Sequence, residues 1–272
     1  MKAVIPAAGL GSRFLPATKA VPKEMLPVGD RPVMQWIVEE ALAFGADEVV
    51  IVISRAKDAI CRHFSPDPDL SADLRARGKD AFADAVDHAG SLPVSFAHQD
   101  EPLGLGHAVA CAAPFVDCGN FMVMLGDMIV PDGGICERMA EVSAEHGGAS
   151  VIAVFAAPPA DISRYGIIGG TPVDSAAAPG QVTRIEEMVE KPALEDAPGN
   201  LAIFGRYLLT PAIMDILADT PPGAGGEIQL TDALVSLLGR EEVFALTIDE
   251  HDGFDTGTIP SWIAANNALA ER

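Results

Sequence analysis

Basic residues are scarce in this chain, with 18 Lys and Arg against 39 Asp and Glu and a formal charge of −21 at neutral pH. That balance repels polyanions, so neither nucleic acid nor an anionic membrane surface is an expected partner. Long apolar runs are missing too: none approaches the roughly 20 residues that a membrane span needs. The first residues enter an apolar strand with no basic segment and signal core ahead of it, and the expected location is cytoplasmic. Cys61, Cys111, Cys118 and Cys136 form no Cys-x-x-Cys pair, and the six histidines make no His-x-x-x-His pattern. Reduced, mostly structural thiols and non-ligand histidines follow from that. No window supplies the Gly-x-x-x-x-Gly-Lys string of a P-loop. With 272 residues, 49% hydrophobic and 21% charged, the chain can bury a sizeable core.

The cations that do occur are grouped. The apolar run Ala3-Val4-Ile5 leads into Ala7-Ala8-Gly9-Leu10-Gly11-Ser12-Arg13, followed by Pro16-Ala17-Thr18-Lys19 and Pro22-Lys23-Glu24-Met25-Leu26-Pro27. Two glycines two apart let backbone N–H groups close on an anion. Gathering Arg13, Lys19 and Lys23 in one loop calls for something anionic to offset their repulsion. A dinucleotide fingerprint does not fit, because Phe14 stands at its third glycine and the strand Val49–Ile53 ends in Ser54 rather than an acid. An ordinary strand-to-helix connection is the bland alternative, and a bare Gly-x-Gly would favour it.

Met34, Ile37, Val38, Ala41 and Leu42 fall at helical spacing, which predicts a helix over 30–44 with Asp30 as cap and Pro32 in the first turn. Strand, helix, strand in under sixty residues opens a parallel sheet. Helices are expected over 57–64 and 69–88, the second exposed. A strand over 93–97 then delivers Gln99 and the glycine run Gly104-Leu105-Gly106-His107. Gln99 could offer a donor and an acceptor to a nucleobase edge, or simply tidy loop carbonyls. The apolar strand Phe121–Leu125 ends in Gly126-Asp127, where parallel sheets bind ligands. One carboxylate with substrate phosphates is the usual way to hold Mg²⁺, though a lone strand-end Asp is more often a helix cap. The second half reads as strands at 150–156, 166–170, 182–189 and 201–207, with later helices at 228–238 and 259–270. It is expected to extend the same sheet, with 175–180 as a mobile hairpin tip. Phe254-Asp255-Thr256-Gly257 adds a second acid in what is otherwise a turn signature.

Together these strings resemble the sugar-1-phosphate nucleotidylyltransferases. Lys23-Glu24-Met25-Leu26, the insertion at 57–90 and the segment 220–232 resemble most the bacterial uridylyltransferases that act on glucose 1-phosphate. The resemblance implies an α/β fold, a Rossmann-like mixed, mostly parallel sheet flanked by helices with a small sugar-binding β-rich subdomain. It implies one domain over 1–272, with a nucleotide half at 1–130 and a sugar-phosphate half at 131–272. The implied reaction joins UTP and α-D-glucose 1-phosphate into UDP-glucose and diphosphate. Carried over residue by residue, Asp127 and Asp255 would hold Mg²⁺, Arg13 the β and γ phosphates, and Lys23 the α-phosphate. Lys191 would hold the sugar phosphate and Glu190 the sugar hydroxyls, with the backbone at Gly166 alongside. Ala8, Gly9, Glu24, Gln99 and Gly104 would read uracil, beside Gly11 and Ser12 of the phosphate loop. Thr231-Asp232 is expected only to stabilise its helix. Gly126 and Asp255-Thr256-Gly257-Thr258 resemble the thymidylyltransferases instead, which keeps dTTP as an alternative. A non-catalytic nucleotide-sugar sensor is the other, and the family resemblance implies a homodimer or homotetramer.

Overall fold

The computed structural model describes residues 1–116, 119–249 and 251–270; Cys118 lies outside them. The first half comprises β1 (Lys2–Pro6), β2 (Pro27–Val28), β3 (Arg31–Pro32), α1 (Val33–Ala43), β4 (Glu48–Ile53), α2 (Asp58–His63), α3 (Pro68–Ala76), α4 (Asp80–Ser91), β5 (Val94–His98), α5 (Leu105–Ala110), β6 (Phe121–Met124) and β7 (Met128–Ile129). The second comprises α6 (Ile135–Glu145), β8 (Ser150–Ala156), β9 (Gly166–Val173), β10 (Val182–Glu190), β11 (Leu201–Leu209), α7 (Ala212–Asp219), α8 (Leu230–Leu238), β12 (Val243–Thr247), β13 (Phe254–Asp255) and α9 (Ile259–Leu269).

Nine strands form one sheet in the order β5-β4-β1-β6-β11-β8-β12-β10-β9. The β5, β4, β1 and β6 segment is parallel throughout, whereas β11 runs antiparallel to β6 and β8. The unbroken apolar run of β4 fits its place between two parallel neighbours, where both faces are covered. Along β1 the pleat sends Ala3 and Ile5 to the layer of α1, α6 and α9, and Val4 to the layer of α5, α7 and α8. Strand β11 joins the two halves. Leu201 and Ala202 pair with β9, Arg206 to Leu209 pair with β6, and the ladder to β8 slips between Ile203 and Tyr207. Gly205 sits in that slip with φ +99, a conformation that favours glycine.

Local expectations shift in three places. Helix α1 starts at Val33 rather than residue 30, because Arg31 and Pro32 pair with Pro27 and Val28 and the Asp30 carboxylate binds Arg31 instead of capping. The expected helix at 69–88 is two helices, α3 and α4, broken at Gly78 with φ +70. The hairpin tip at 175–180 is docked rather than loose: Glu145 accepts from the Ser175 hydroxyl at 2.5 Å and the Ala177 N–H at 2.9 Å, and Ala178 is buried.

Candidate active site

The loops leaving β1, β5 and β6 converge at the carboxyl ends of the parallel strands, where such sheets hold their ligands. They enclose a cleft of about 360 Å³ lined by Ala8, Gly9, Lys23, Glu24, Gln99, Gly104 and Asp127. The first wall is built from the glycine loop. Gly11 takes φ +65, and its carbonyl accepts from the Thr18 hydroxyl at 2.8 Å, which folds the loop over Ser12 and Arg13. At the opposite wall Gly104, with φ +104, opens α5. A Cβ there would lie 2.7 Å from the Glu227 Cβ and 2.8 Å from the Ile228 carbonyl oxygen. Only glycine lets the two segments approach so closely.

Gln99 is buried and donates its amide to the Gly104 carbonyl at 3.0 Å, with His107 Nδ1 a further 2.9 Å partner. It therefore does hold a loop carbonyl, and the residue also lines the cleft. Glu24 is 1% exposed and accepts from Lys57 Nζ at 2.6 Å, itself buried. Burial raises the Glu24 pKa above the usual range even against the two neighbouring ammonium groups, and burial lowers that of Lys57. Lys57 lies at the mouth of the helical insertion, where no local sequence signal marked it as a partner of the cleft.

Lys23 donates to Asp127 Oδ2 at 2.7 Å. Burial acts to lower the Lys23 pKa, but the carboxylates of Asp127 and Glu24 outweigh it and raise the value. Burial likewise acts to raise Asp127, and Lys23 reverses it, so this carboxylate stays ionised below the usual range. The second acid arrives from a distant part of the chain. In the two-residue ladder of β7 and β13, Asp255 stands opposite Met128, and the Asp127 carbonyl accepts from the Thr256 N–H at 2.7 Å and hydroxyl at 2.9 Å. Burial raises the Asp255 pKa, the nearby Asp127 charge adds to it, and the Gly257 N–H bond at 2.6 Å opposes it. A Cβ on Gly257 would lie 2.9 Å from Asp255 Oδ1, 3.1 Å from Asp127 Oδ2 and 3.4 Å from Arg13 Nη1. Both carboxylates and the guanidinium therefore border one small space that the missing side chain leaves open.

That donor set suits a hard divalent cation. Two carboxylates offer only oxygen, and among the described residues no group of three or more His, Cys, Asp or Glu gathers as a closed metal cage. An ion of the Mg²⁺ type keeps waters and substrate phosphates in its remaining positions, so two protein ligands fit it.

A second cluster gathers around Gly166. A Cβ on Gly166 would meet Glu190 Oε2 at 3.1 Å and Thr231 Oγ1 at 3.4 Å, and Thr231 donates to Glu190 at 2.7 Å. Thr231 thus orients Glu190 as well as opening its helix, a role its place in a helix-start string concealed. Lys191 is half exposed, reaches Glu190 Oε1 at 2.9 Å, and adopts φ +46 while its N–H bonds the Tyr165 carbonyl at 3.1 Å. Left-handed backbone at a lysine is costly and persists where the fold enforces it. Arg164, another residue the sequence did not single out, brings Nη2 to 3.9 Å from Asp255.

The family pattern described as nucleotidyl transferase matches residues 2–272 of this sequence. The chain belongs to that family. Nucleotidyl transferases of this kind generally use a divalent metal. One relative, named UTP--glucose-1-phosphate uridylyltransferase, from Streptococcus pyogenes, is 45% identical over 250 residues, covering 90% of this chain and 80% of that protein. A solved structure described as a UTP-bound UGPase from Acinetobacter baumannii aligns with a TM-score of 0.88 at 35% identity, over 98% of this chain and 92% of the other. A UDP-glucose pyrophosphorylase complexed with UDP-glucose aligns with a TM-score of 0.85 at 33% identity, over 99% and 98% of the two chains. As a nucleotidyl transferase, the chain has no helix among its described residues long and apolar enough to cross a membrane.

Proposed function

We propose that this nucleotidyl transferase moves a uridylyl group from UTP to α-D-glucose 1-phosphate, releasing diphosphate and forming UDP-glucose. The observation that carries the reading is the convergence of Asp127, Asp255 and Arg13 around the space beside Gly257, at the mouth of a cleft with a buried amide for a base. The names of the relatives support the choice of UTP and glucose 1-phosphate. In this reading residues 1–130 take the nucleotide and 131–272 the sugar phosphate.

The Gln99 carbonyl oxygen accepts from the uracil N3–H, and the backbone at Ala8, Gly9 and Gly104 encloses the ring. Glu24, locked by Lys57, serves as a fixed wall rather than a mobile acceptor. Arg13, a permanent planar cation, takes the β and γ phosphates beside the N–H groups of Gly11 and Ser12. Lys23 shares its ammonium between Asp127 and the α-phosphate. On the other side Lys191 holds the incoming phosphate, and Glu190, oriented by Thr231, accepts from sugar hydroxyls near Gly166. Asp127 and Asp255 would hold a Mg²⁺ ion, which neutralises phosphate charge and restrains both substrates. The glucose 1-phosphate oxygen attacks the α-phosphorus as the bond to diphosphate breaks. That nucleophile is already anionic, so these residues supply alignment and charge stabilisation rather than a general base.

The test is the initial rate of diphosphate release with glucose 1-phosphate and Mg²⁺, comparing UTP with dTTP. A strong UTP preference is expected. A dTTP preference would overturn the base assignment, and silence with every nucleotide while UDP-glucose still binds would leave a sensor.

A further inference from the structure

Among the described residues, the largest side chain completely removed from solvent is not apolar: it is Arg206 of β11, with no exposed surface. A permanent cation in a core needs excellent partners to offset its desolvation. Arg206 has them. Its Nε donates to Glu40 Oε1 at 2.9 Å and its Nη2 to Glu40 Oε2 at 2.6 Å, a two-point pairing with a carboxylate from α1. The same Nη2 donates to the carbonyl of Met128 at 2.7 Å.

Met128 follows Asp127 in the chain and stands opposite Asp255 in the ladder of β7 with β13. The residue before Arg206 grips the other side of the same turn: the Gly205 carbonyl accepts from the Leu125 N–H at 2.9 Å. Gly205 is the position of positive φ, and a Cβ there would lie 2.8 Å from the Leu125 side chain. The chain leaving β6 is therefore held by β11 immediately before and immediately after Gly126-Asp127. One of the two holds comes from the backbone bulge and the other from the guanidinium.

We infer that Arg206, clamped by Glu40, is a positioning residue that fixes Asp127 and Asp255 at the separation a divalent cation needs. The inference rests on the proposed carboxylate site. A buried guanidinium needs acceptors for its donors whatever its role, and here one acceptor is the carbonyl of Met128, next to Asp127 and opposite Asp255. A merely structural ion pair could be replaced by an apolar pair of similar volume with no change in metal binding. A positioning device could not be replaced in that way, because outer-shell partners of ligating carboxylates typically set about 10–100-fold in metal affinity.

The test uses the double variant Glu40→Leu with Arg206→Met, alongside Arg206→Lys. Arg206→Met alone strands a buried carboxylate and lowers Tm by several degrees, whereas the apolar pair restores most of that loss. The readouts are the Mg²⁺ concentration giving half-maximal diphosphate release and, independently of turnover, calorimetric binding of Mn²⁺ to the enzyme with UTP. Both constants are expected to rise about 10-fold or more in the double variant. Arg206→Lys keeps the charge but loses the fork, and is expected to show a several-fold rise. Metal constants equal to those of the unaltered chain in a folded double variant would overturn the inference. Should the double variant not fold, unchanged metal constants in Arg206→Lys would overturn it equally. If the unaltered chain released no diphosphate, the uridylyl-transfer reading would fall instead, while Mn²⁺ binding would still report on the carboxylate pair.

Discussion

Replacing Gly257 with Ala isolates the geometry of the carboxylate site from the stability of the fold. The φ of Gly257 lies outside the left-handed region, so the backbone accepts an L residue without strain. The new methyl would lie 2.9 Å from Asp255 Oδ1 and 3.1 Å from Asp127 Oδ2, closer than a carbon and an oxygen normally rest. Both atoms end side chains that can rotate, so the carboxylates yield and the fold does not. Loss of glycine flexibility in the unfolded chain even favours the variant by roughly 0.4–1 kcal/mol. The site, however, loses the open space between its two acids. A displacement of reacting or binding groups by ~1 Å costs about 100-fold in rate, which corresponds to about 2.7 kcal/mol of lost transition-state stabilisation. The expected outcome is an unchanged or slightly higher Tm with kcat reduced about 100-fold, measured by diphosphate release across a range of Mg²⁺ concentrations. A variant with kcat within two- to three-fold of the parent would refute the claim that this space is where the chemistry converges.

Asp127→Asn and Asp255→Asn should each lower turnover by about 1,000-fold or more even at saturating Mg²⁺, since each removes one of the two proposed anionic ligands; near-normal rates in a folded variant would sink the assignment. Thr231→Val removes the hydroxyl that latches Glu190, so KM for glucose 1-phosphate should rise about 10-fold, or about 1.4 kcal/mol. The KM for UTP should stay put, and an equal rise in both would count against the sugar-side role. Lys57→Met strands Glu24 in the core and should cost about 3–5 kcal/mol of stability near neutral pH. Burial holds the Glu24 pKa above its ordinary 4.5 in the fold, so the folded state binds this proton more tightly than the unfolded chain. In that variant the stability contribution is lost as pH rises through the window between 4.5 and the raised value, and acidification should therefore recover Tm; a Tm that falls with acid over that window would contradict the assignment.

Much of this was legible in the linear sequence because it depends on local rules. The glycine loop, the apolar β1 and β4, the helical spacing of α1 and the strands β8 to β11 follow from periodicity and backbone freedom, whereas β12 and the order of strands in the sheet did not. The family and its uridylyl chemistry were readable from strings that occur in a fixed order, and the named relatives agree. Asp127 stood out as a strand-end acid and Asp255 as an acid in a turn signature, but nothing in the chain between them says that they meet. That was decided by a ladder of two residues and by the Thr256 bonds to the Asp127 carbonyl.

Partners that lie far apart in sequence stayed hidden for the same reason. Lys57 pairs with Glu24, Thr231 with Glu190, and Arg206 with Glu40. A lysine, threonine or arginine carries no local mark of which distant carboxylate it will meet, because the same residue on a solvated surface would look identical. The mobile tip expected at 175–180 is docked because Glu145 happens to face it. Residue order alone settles which elements form, which face of each is apolar, and which loops can hold phosphate. Packing in three dimensions settles which buried charges neutralise one another, since desolvation makes an unpaired charge costly and only the folded chain brings a given partner within reach.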